Sequence, residues 1–485
     1  MKNLRLSILP AVLLALCLVS CSKKDYVNVI PKDASFVMSV DLKTIAEKAD
    51  LENSSYMPIV SEFMSELVGS NEQVQSYMKD PKKTGIDFRQ PLYVFMAGDV
   101  LGVTMAVYDK GDVEKTLAAG KSSGLYGGMT ETDGISMATL DRRGIVAFNK
   151  STLLILANTS ANSADALKPL CKQLFGLDKD LRFAESDAYN KMNDQEGELQ
   201  FYSDIAMLPG NIINDLKPLM PEGVRYSDVE AYSSVSFLNG KVVWKGSMDG
   251  KTKDAAKLIK KGNKKLKKID GEYIDAPMQD FLVWACFGVE KGGLLDMAKQ
   301  TADSKQMLLM LERAIDIEQM MKQVEGDVSF VCAAIDGETE YMIMAEIDDD
   351  DFLKDVDYWQ RSMKDYGMSM TKTIGDNYLL NAGDYAVNWG VDDDNLYFAS
   401  PAMFAKNSVS QRSTLLQPLK ADIKSSLFYA YINMEVASQY GEPSMVRKVT
   451  DKMKSLIIQV KSPDSMEITL NMKDDSQNVL KELMN

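Results

Sequence analysis

The sequence predicts an α+β protein made of two tandem repeats, each an antiparallel sheet with helices packed on one face. Three observations predict it. Apolar, strand-like runs follow one another through short turns such as Asn239-Gly240 and Pro463-Asp464, the mark of hairpins rather than of strand–helix–strand crossovers. The same order of elements is written twice along the chain. Acids gather just before helical patterns, where they suit N-capping and the macrodipole.

Each repeat opens with an apolar strand and a helix, "ASFVMSVDLKTIAEKADL" from Ala34 and "QDFLVWACFGVEKGGLLDMAKQ" from Gln279. A hairpin-like strand pair follows, "PLYVFMAGDVLGVTMAVYD" and "GDVSFVCAAIDGETEYMIMAEID". Helices come next, beginning at Asp109 and at Asp348. Short strands continue the pattern in "ISMATLDRRGIVAFNKSTLLILANTS" and "NYLLNAGDYAVNWGVDDDNLYFASP". A further strand pairs "GELQFYSDIAML" with "SSLFYAYINMEV", and a hairpin plus helix closes each half. The expected boundaries are 34–268 and 275–485, joined by a linker at 269–274, with a groove between two similar lobes.

The N-terminus carries an address. Lys2 and Arg5 precede an apolar run from Leu6 to Val19, a charged n-region and a short h-region as in a secretory signal peptide. The run is too short to span a bilayer, which takes about 20 residues. Leu18-Val19-Ser20-Cys21 resembles the bacterial lipobox. The resemblance implies removal of residues 1–20, acylation of Cys21 with palmitate-type chains, and a lipidated tether over 21–33. One acyl chain gives marginal membrane binding, whereas two or three hold a soluble body. The plain alternative is ordinary cleavage nearby, with Cys21 a bystander. Ser22 after the cysteine favours the outer membrane by the Gram-negative sorting pattern; which leaflet and face stay open.

The chain has 485 residues and a net charge of −15. Losing Lys2 and Arg5 with the first 20 residues makes it two units more negative. Such a surface repels phosphate backbones, which argues against nucleic acid as a partner. There is no histidine, which excludes Ser-His-Asp and Cys-His catalysis and HExxH zinc sites. Cys171, Cys286 and Cys332 sit in apolar segments and read as small hydrophobes; a Cys286–Cys332 disulfide is the alternative in an oxidising compartment.

Formal motif matches fail on context. Gly120-Lys121-Ser122-Ser123-Gly124 fits G-x-S-x-G but follows a helix and reads as a glycine-rich helix exit. Ser76-Tyr77-Met78-Lys79 and Lys83-Thr84-Gly85 fit S-x-x-K and K-T-G but lie too close together. Acids at Asp348–Asp351 and Asp392–Asp394 lack the EF-hand layout and read as a helix start and a hairpin turn. Nine lysines between Lys251 and Lys268 suit either an electrostatic foot on anionic lipid or, more simply, a solvated helix end. Met307, Met310, Leu311, Ala314, Ile317, Met321 and Val324 form a helical stripe suited to packing. Trp244, Trp284, Trp359 and Trp389 lie in apolar segments and are expected to pack. No catalytic, cofactor-binding or metal residues are nominated.

The stretch "CSKKDYVNVIPKDASFVMSVDLKTIAEKADL" and the duplicated hairpin–helix units resemble the uncharacterised lipoproteins of Bacteroides and its relatives that carry a domain of unknown function. The resemblance implies location and architecture and brings no catalytic residues. The function expected is that of a membrane-anchored envelope lipoprotein that binds a protein, peptide or glycan, or acts as a scaffold, through a groove or surface between the repeats. The alternatives are a carboxylate-based hydrolase acting on glycan and a structural spacer.

Overall fold

The computed structural model describes residues 25–51, 76–77, 79–121, 127–140, 144–158, 164–207, 223–262, 264–299, 305–306, 308–309, 312, 315–373, 375–439 and 449–484. The chain divides into two compact units, Met1–Met207 with Met484–Asn485, and Leu208–Leu483.

The first unit contains β1 (Phe36–Val40), β2 (Leu92–Ala97), β3 (Val100–Ala106), β4 (Thr130–Thr132), β5 (Ile135–Leu140), β6 (Gly144–Phe148), β7 (Thr152–Asn158) and β8 (Leu199–Asp204). Their ladders are antiparallel in the spatial order β8-β1-β2-β3-β7-β6-β5-β4. The β4–β5 turn places Asp133 and Gly134 at φ 55° and 78°, a left-handed pair that glycine and aspartate tolerate best.

The second unit contains β9 (Val229–Leu238), β10 (Lys241–Gly250), β11 (Leu266–Lys267), β12 (Phe281–Val289), β13 (Val324–Ile335), β14 (Glu338–Ile347) and β15 (Met368–Lys372). It continues with β16 (Asn377–Ala382), β17 (Tyr385–Asp392), β18 (Asn395–Ala399), β19 (Phe428–Asn433), β20 (Met453–Ser462) and β21 (Ser465–Met472). The order is β9-β10-β21-β20-β19-β12-β13-β14-β18-β17-β16-β15, again antiparallel, with short β11 beside the end of β12. The β9–β10 hairpin falls within the first expected repeat, 34–268, yet β10 pairs with β21 from Lys241↔Asn471 to Ser247↔Ser465. Two hairpin edges thereby satisfy each other, which removes open strand edges.

Both units are α+β with antiparallel sheets, but helices lie on both faces, not on one. The reason is visible in β6 and β7. Gly144–Phe148 is buried at every position, and β7 is buried at four of seven, so neither face is left for water. The helix Lys110–Lys121 sets Val113 and Leu117 against Val146, Phe148 and Leu153. The alternate face carries Phe95 and Val100, and there Leu170 and Leu174 of the helix Leu167–Phe175 line a shared cavity with them.

In the second unit Val356 and Trp359 pack with Ala345, Leu396 and Trp389 on one face. Met403 and Ile423 pack with Met342, Met344 and Trp284 on the other. Three of the four tryptophans are buried as expected; Trp244 is half-buried. Trp389 stacks on Tyr378 with ring centroids 4.8 Å apart, and the Trp359 ring lies 6.2 Å from that of Trp389, tilted by 45°. Truncating Trp359 to alanine is expected to destabilise the second unit by about 3–5 kcal/mol, the usual cost of emptying a large aromatic site. A urea denaturation midpoint unchanged in Trp359→Ala would contradict this packing.

Candidate functional site

Residues 269–274, inside the second unit, are closed by a buried carboxylate. Asp327 is fully buried at the start of β13. It accepts backbone N–H groups from Asp270 at 2.8 Å, Gly271 at 2.7 Å and Glu272 at 3.1 Å. Three successive amides around one anion make a nest. Glu346 on β14 in turn accepts the backbone N–H of Asp327. Next in the chain, the buried Tyr273 hydroxyl donates to Asn395 Oδ1 at 2.5 Å. Burial is the main cause that raises both the Tyr273 hydroxyl and the Glu346 carboxyl above their ordinary pKa values; for Glu346, Asp327, Asp270 and Glu272 add repulsion.

Carboxylate oxygens of Asp270, Asp327 and Glu346 all lie within 4.8 Å of one another, a hard-oxygen set of the kind calcium takes. The oxygens of Asp327 are already spent on amide protons, so the cluster works as a clasp. Asp349, Asp350 and Asp351 form a second acid group, at the helix start the sequence suggests. There Asp349 accepts the N–H of Asp351, and Asp348 pairs with Lys291.

The larger feature is apolar. Strand alternation in the second unit aligns Val235, Trp244, Ile468, Ile458, Ala430, Ala285, Phe330, Ile343 and Phe398 in one cross-strand row. At the strand spacing of a sheet, this row spans about 38 Å. Phe330 and Ile343 are each 37% exposed, and most of the others are half-buried. The Trp244 ring lies over Gly246, whose missing side chain gives it room. The first unit has a shorter half-buried row, Phe201, Met38, Val94 and Val103, which runs into Ile155 beneath the helix Lys110–Lys121.

The first unit also holds a cavity of about 550 Å³. Its walls are the segment Pro31–Asp33, Phe95 and Val100 of the β2–β3 hairpin, and Leu170 and Leu174 of the helix above. Lys32, Asp33 and Gln173 are its polar lining residues.

The lipidation residue Cys21 and the lipobox residues Leu18, Val19 and Ser20 lie outside the described residues, as do Ser122–Gly124 and Met307, Met310, Leu311 and Ala314. Lys83 Nζ donates to Ser76 Oγ at 3.2 Å, an exposed contact on the open surface. Within the lysine run, Lys265 pairs with Asp296 at 3.0 Å and Lys267 with Asp270 at 3.1 Å. In the methionine stripe it is Met320, rather than Met321, that is buried.

Cys171, Cys286 and Cys332 are free, buried thiols, and burial pushes Cys171 up to about 12. A Cys286–Cys332 disulfide is ruled out by register. Cys332 stands opposite Val283 and Cys286 opposite Ser329, so the two side chains project from opposite faces of the sheet.

These features define an α+β protein with antiparallel sheets and a partly open apolar face. The chain belongs to the family described as Domain of unknown function (DUF4836), whose pattern matches residues 26–461. That agrees with the domain of unknown function expected from "CSKKDYVNVIPKDASFVMSVDLKTIAEKADL" and the duplicated hairpin–helix units. The chain is also similar to solved structures of TP0453. Crystal form III, at 11% identity and TM-score 0.27, covers 47% of this chain and 80% of that one. Crystal form IV, at the same identity and TM-score, covers 46% and 79%. Likeness at that level carries no argument about function. No curated protein matches the chain. No helix among the described residues is long and apolar enough to cross a membrane.

Two outcomes test the clasp. Asp327→Ala leaves three amides without their acceptor and is expected to cost on the order of 3 kcal/mol, with Asp327→Asn milder; equal denaturation midpoints for Asp327→Ala and the parent chain contradict it. Glu346 titrates higher when folded, so the folded state keeps the proton longer. Its unfavourable contribution is absent below the ordinary 4.5 and grows as pH rises through the folded value. Glu346→Gln, still able to accept the Asp327 amide, is therefore expected to melt above the parent chain at pH 7, with the gap closing in acid. A gap that widens on acidification would reverse the sign.

Proposed function

We propose that this chain is a lipid-anchored protein of the cell envelope, held at the outer membrane by acyl groups on Cys21, that binds or scaffolds a partner without catalysing a reaction. Residues 1–20 are its signal peptide and 21–33 its tether. The observation that carries the binding reading is the half-exposed apolar row from Val235 to Phe398. Its backbone groups are spent in ladders and its side chains offer little to hydrogen-bond. Such a surface suits a protein partner with apolar side chains better than a glycan. The hydrolase alternative draws no support from Asp327 and Glu346, whose oxygens hold backbone amides.

The body is two repeats in this reading, supported by matched detail. The order β8-β1-β2-β3-β7-β6-β5-β4 corresponds strand for strand to β19-β12-β13-β14-β18-β17-β16-β15. The segment before each first strand makes one isolated bridge to an arginine, Pro31↔Arg182 and Met278↔Arg412. Each such segment also carries a buried tyrosine with a bonded hydroxyl, Tyr26 to the Pro91 carbonyl at 2.8 Å and Tyr273 to Asn395.

Mass spectrometry of protein extracted from membranes is expected to find acyl groups on Cys21, and Cys21→Ala to move the chain to the soluble fraction. A plain thiol at Cys21 sinks the anchoring claim. A photo-crosslinking residue at Ile343 in intact cells is expected to trap a discrete partner, lost in Phe330→Asp. Trapping no stronger than from a control position on the polar face, such as Lys245, defeats the binding claim.

A further inference from the structure

The 550 Å³ cavity of the first unit has a feature that the apolar sheet face lacks: its wall is the tether itself. Pro31, Lys32 and Asp33 line it, and they follow Cys21 by ten to twelve residues. The intervening Asp25–Val29 is a 3-10 turn, which advances about 10 Å over five residues. Residues 21–25 extend at most about 14 Å. These lengths keep whatever Cys21 carries within about 30 Å of Pro31 at the cavity wall. The interior is hydrocarbon in character. Leu170 and Leu174 from the helix face Phe95 and Val100 from the sheet, and Leu181, 52% exposed, stands at the opening. Beyond the tether, seven of the twelve lining residues are Leu, Val, Phe or Ala, and Lys32, Asp33 and Gln173 are the polar side chains. The volume lies within the 300–1,000 Å³ of ordinary ligand pockets.

We propose that this cavity is an acyl-chain site, filled by one of the fatty chains carried on Cys21; the inference rests on the lipoprotein reading above. The tether then runs from the bilayer along the protein surface with one chain turned inward. Because a single chain holds a membrane only marginally and two hold it firmly, withdrawal of one chain into the body weakens the anchor. The cavity thus sets how tightly the protein stays on the membrane.

The test uses the full-length lipoprotein made in cells fed a fatty acid bearing both a diazirine and an alkyne. After illumination, the chain attached to Cys21 is expected to crosslink to the peptides that carry Leu170–Leu181 and Val100. That crosslinking should fall at least five-fold in Leu181→Glu, an exposed position whose change spares the fold, and in Leu170→Glu with unaltered melting. Conversely, a soluble photoactivatable fatty acid should label the same peptides at least five-fold more in Cys21→Ala, whose cavity lacks its tethered occupant. Acyl groups present on Cys21 with crosslinks only to phospholipid or to other peptides overturn the cavity proposal and leave the lipoprotein reading standing. Equal labelling by the soluble probe with and without Cys21 overturns it as well. Absence of any acyl group on Cys21 removes both.

Discussion

The period-two alternation of an antiparallel ladder governs most of what this molecule exposes. In β10, β21 and β20, Lys241, Lys245, Glu467, Thr469, Asn471, Ser455 and Gln459 share one face, while Val242, Trp244, Ile468, Leu470 and Ile458 share the other. A one-residue slip would exchange the two sets completely. Register is held at both ends of the β9–β10 hairpin, by the Asn239-Gly240 turn and by the β10–β21 ladder. Where alternation gives way to continuous apolar sequence, as in "GIVAF" of β6, both faces are buried and helices arrive on both sides. The position of each helix is thus a consequence of strand composition.

The helices themselves are short and contribute little on their own. Isolated helices of this length are marginal in water, so each depends on a cap and on a few buried contacts. Asp41 accepts the Thr44 amide at 3.0 Å, Asp316 the Gln319 amide at 2.9 Å, and Thr252 the Ala255 amide at 3.2 Å. The helix Lys253–Lys261 buries only Ala255 and Ile259 while its lysines stay in solvent. This is the solvated helix end that the lysine run suggests, with repulsion from Lys264 lowering the Lys261 pKa.

Local signals were therefore the legible ones. Asn239-Gly240 and Asp392–Asp394 read as turns and are turns; Asp109 reads as a helix start and its side chain accepts the Asp112 amide; four tryptophans read as packed, and three are buried while Trp244 is half-buried. Long-range choices were not legible. Nothing in "GKVVWKGSMDG" announces that β10 will pair with β21, more than two hundred residues on, because the pairing depends on which edges remain free. The one-face expectation failed because it weighed strand order without asking which strands lack a polar side. Asp327 was lost among 70 acids. Its signal was an aspartate after Gly326 at the threshold of the apolar run "VSFVCAA", where burial forces an acid to find donors. The lipidation signal lies outside the described residues and rests on sequence alone.

The extent of the open face decides how it should be regarded. A second row runs beside the first, from Phe237 through Val242, Leu470, Leu456, Ile432, Val283 and Cys332 to Tyr341. The two rows together cover about 38 by 14 Å, roughly 500 Å² of sheet. That matches the largest apolar patch of a typical soluble monomer, about 300–600 Å² and often functional. Yet most of these side chains are partly covered rather than fully bare, and only Phe330 and Ile343 in the main row pass one-third exposure. A strip shielded along most of its length and open at its centre presents a small target. Phe330 and Ile343 are the side chains that a partner of the kind proposed above would meet first.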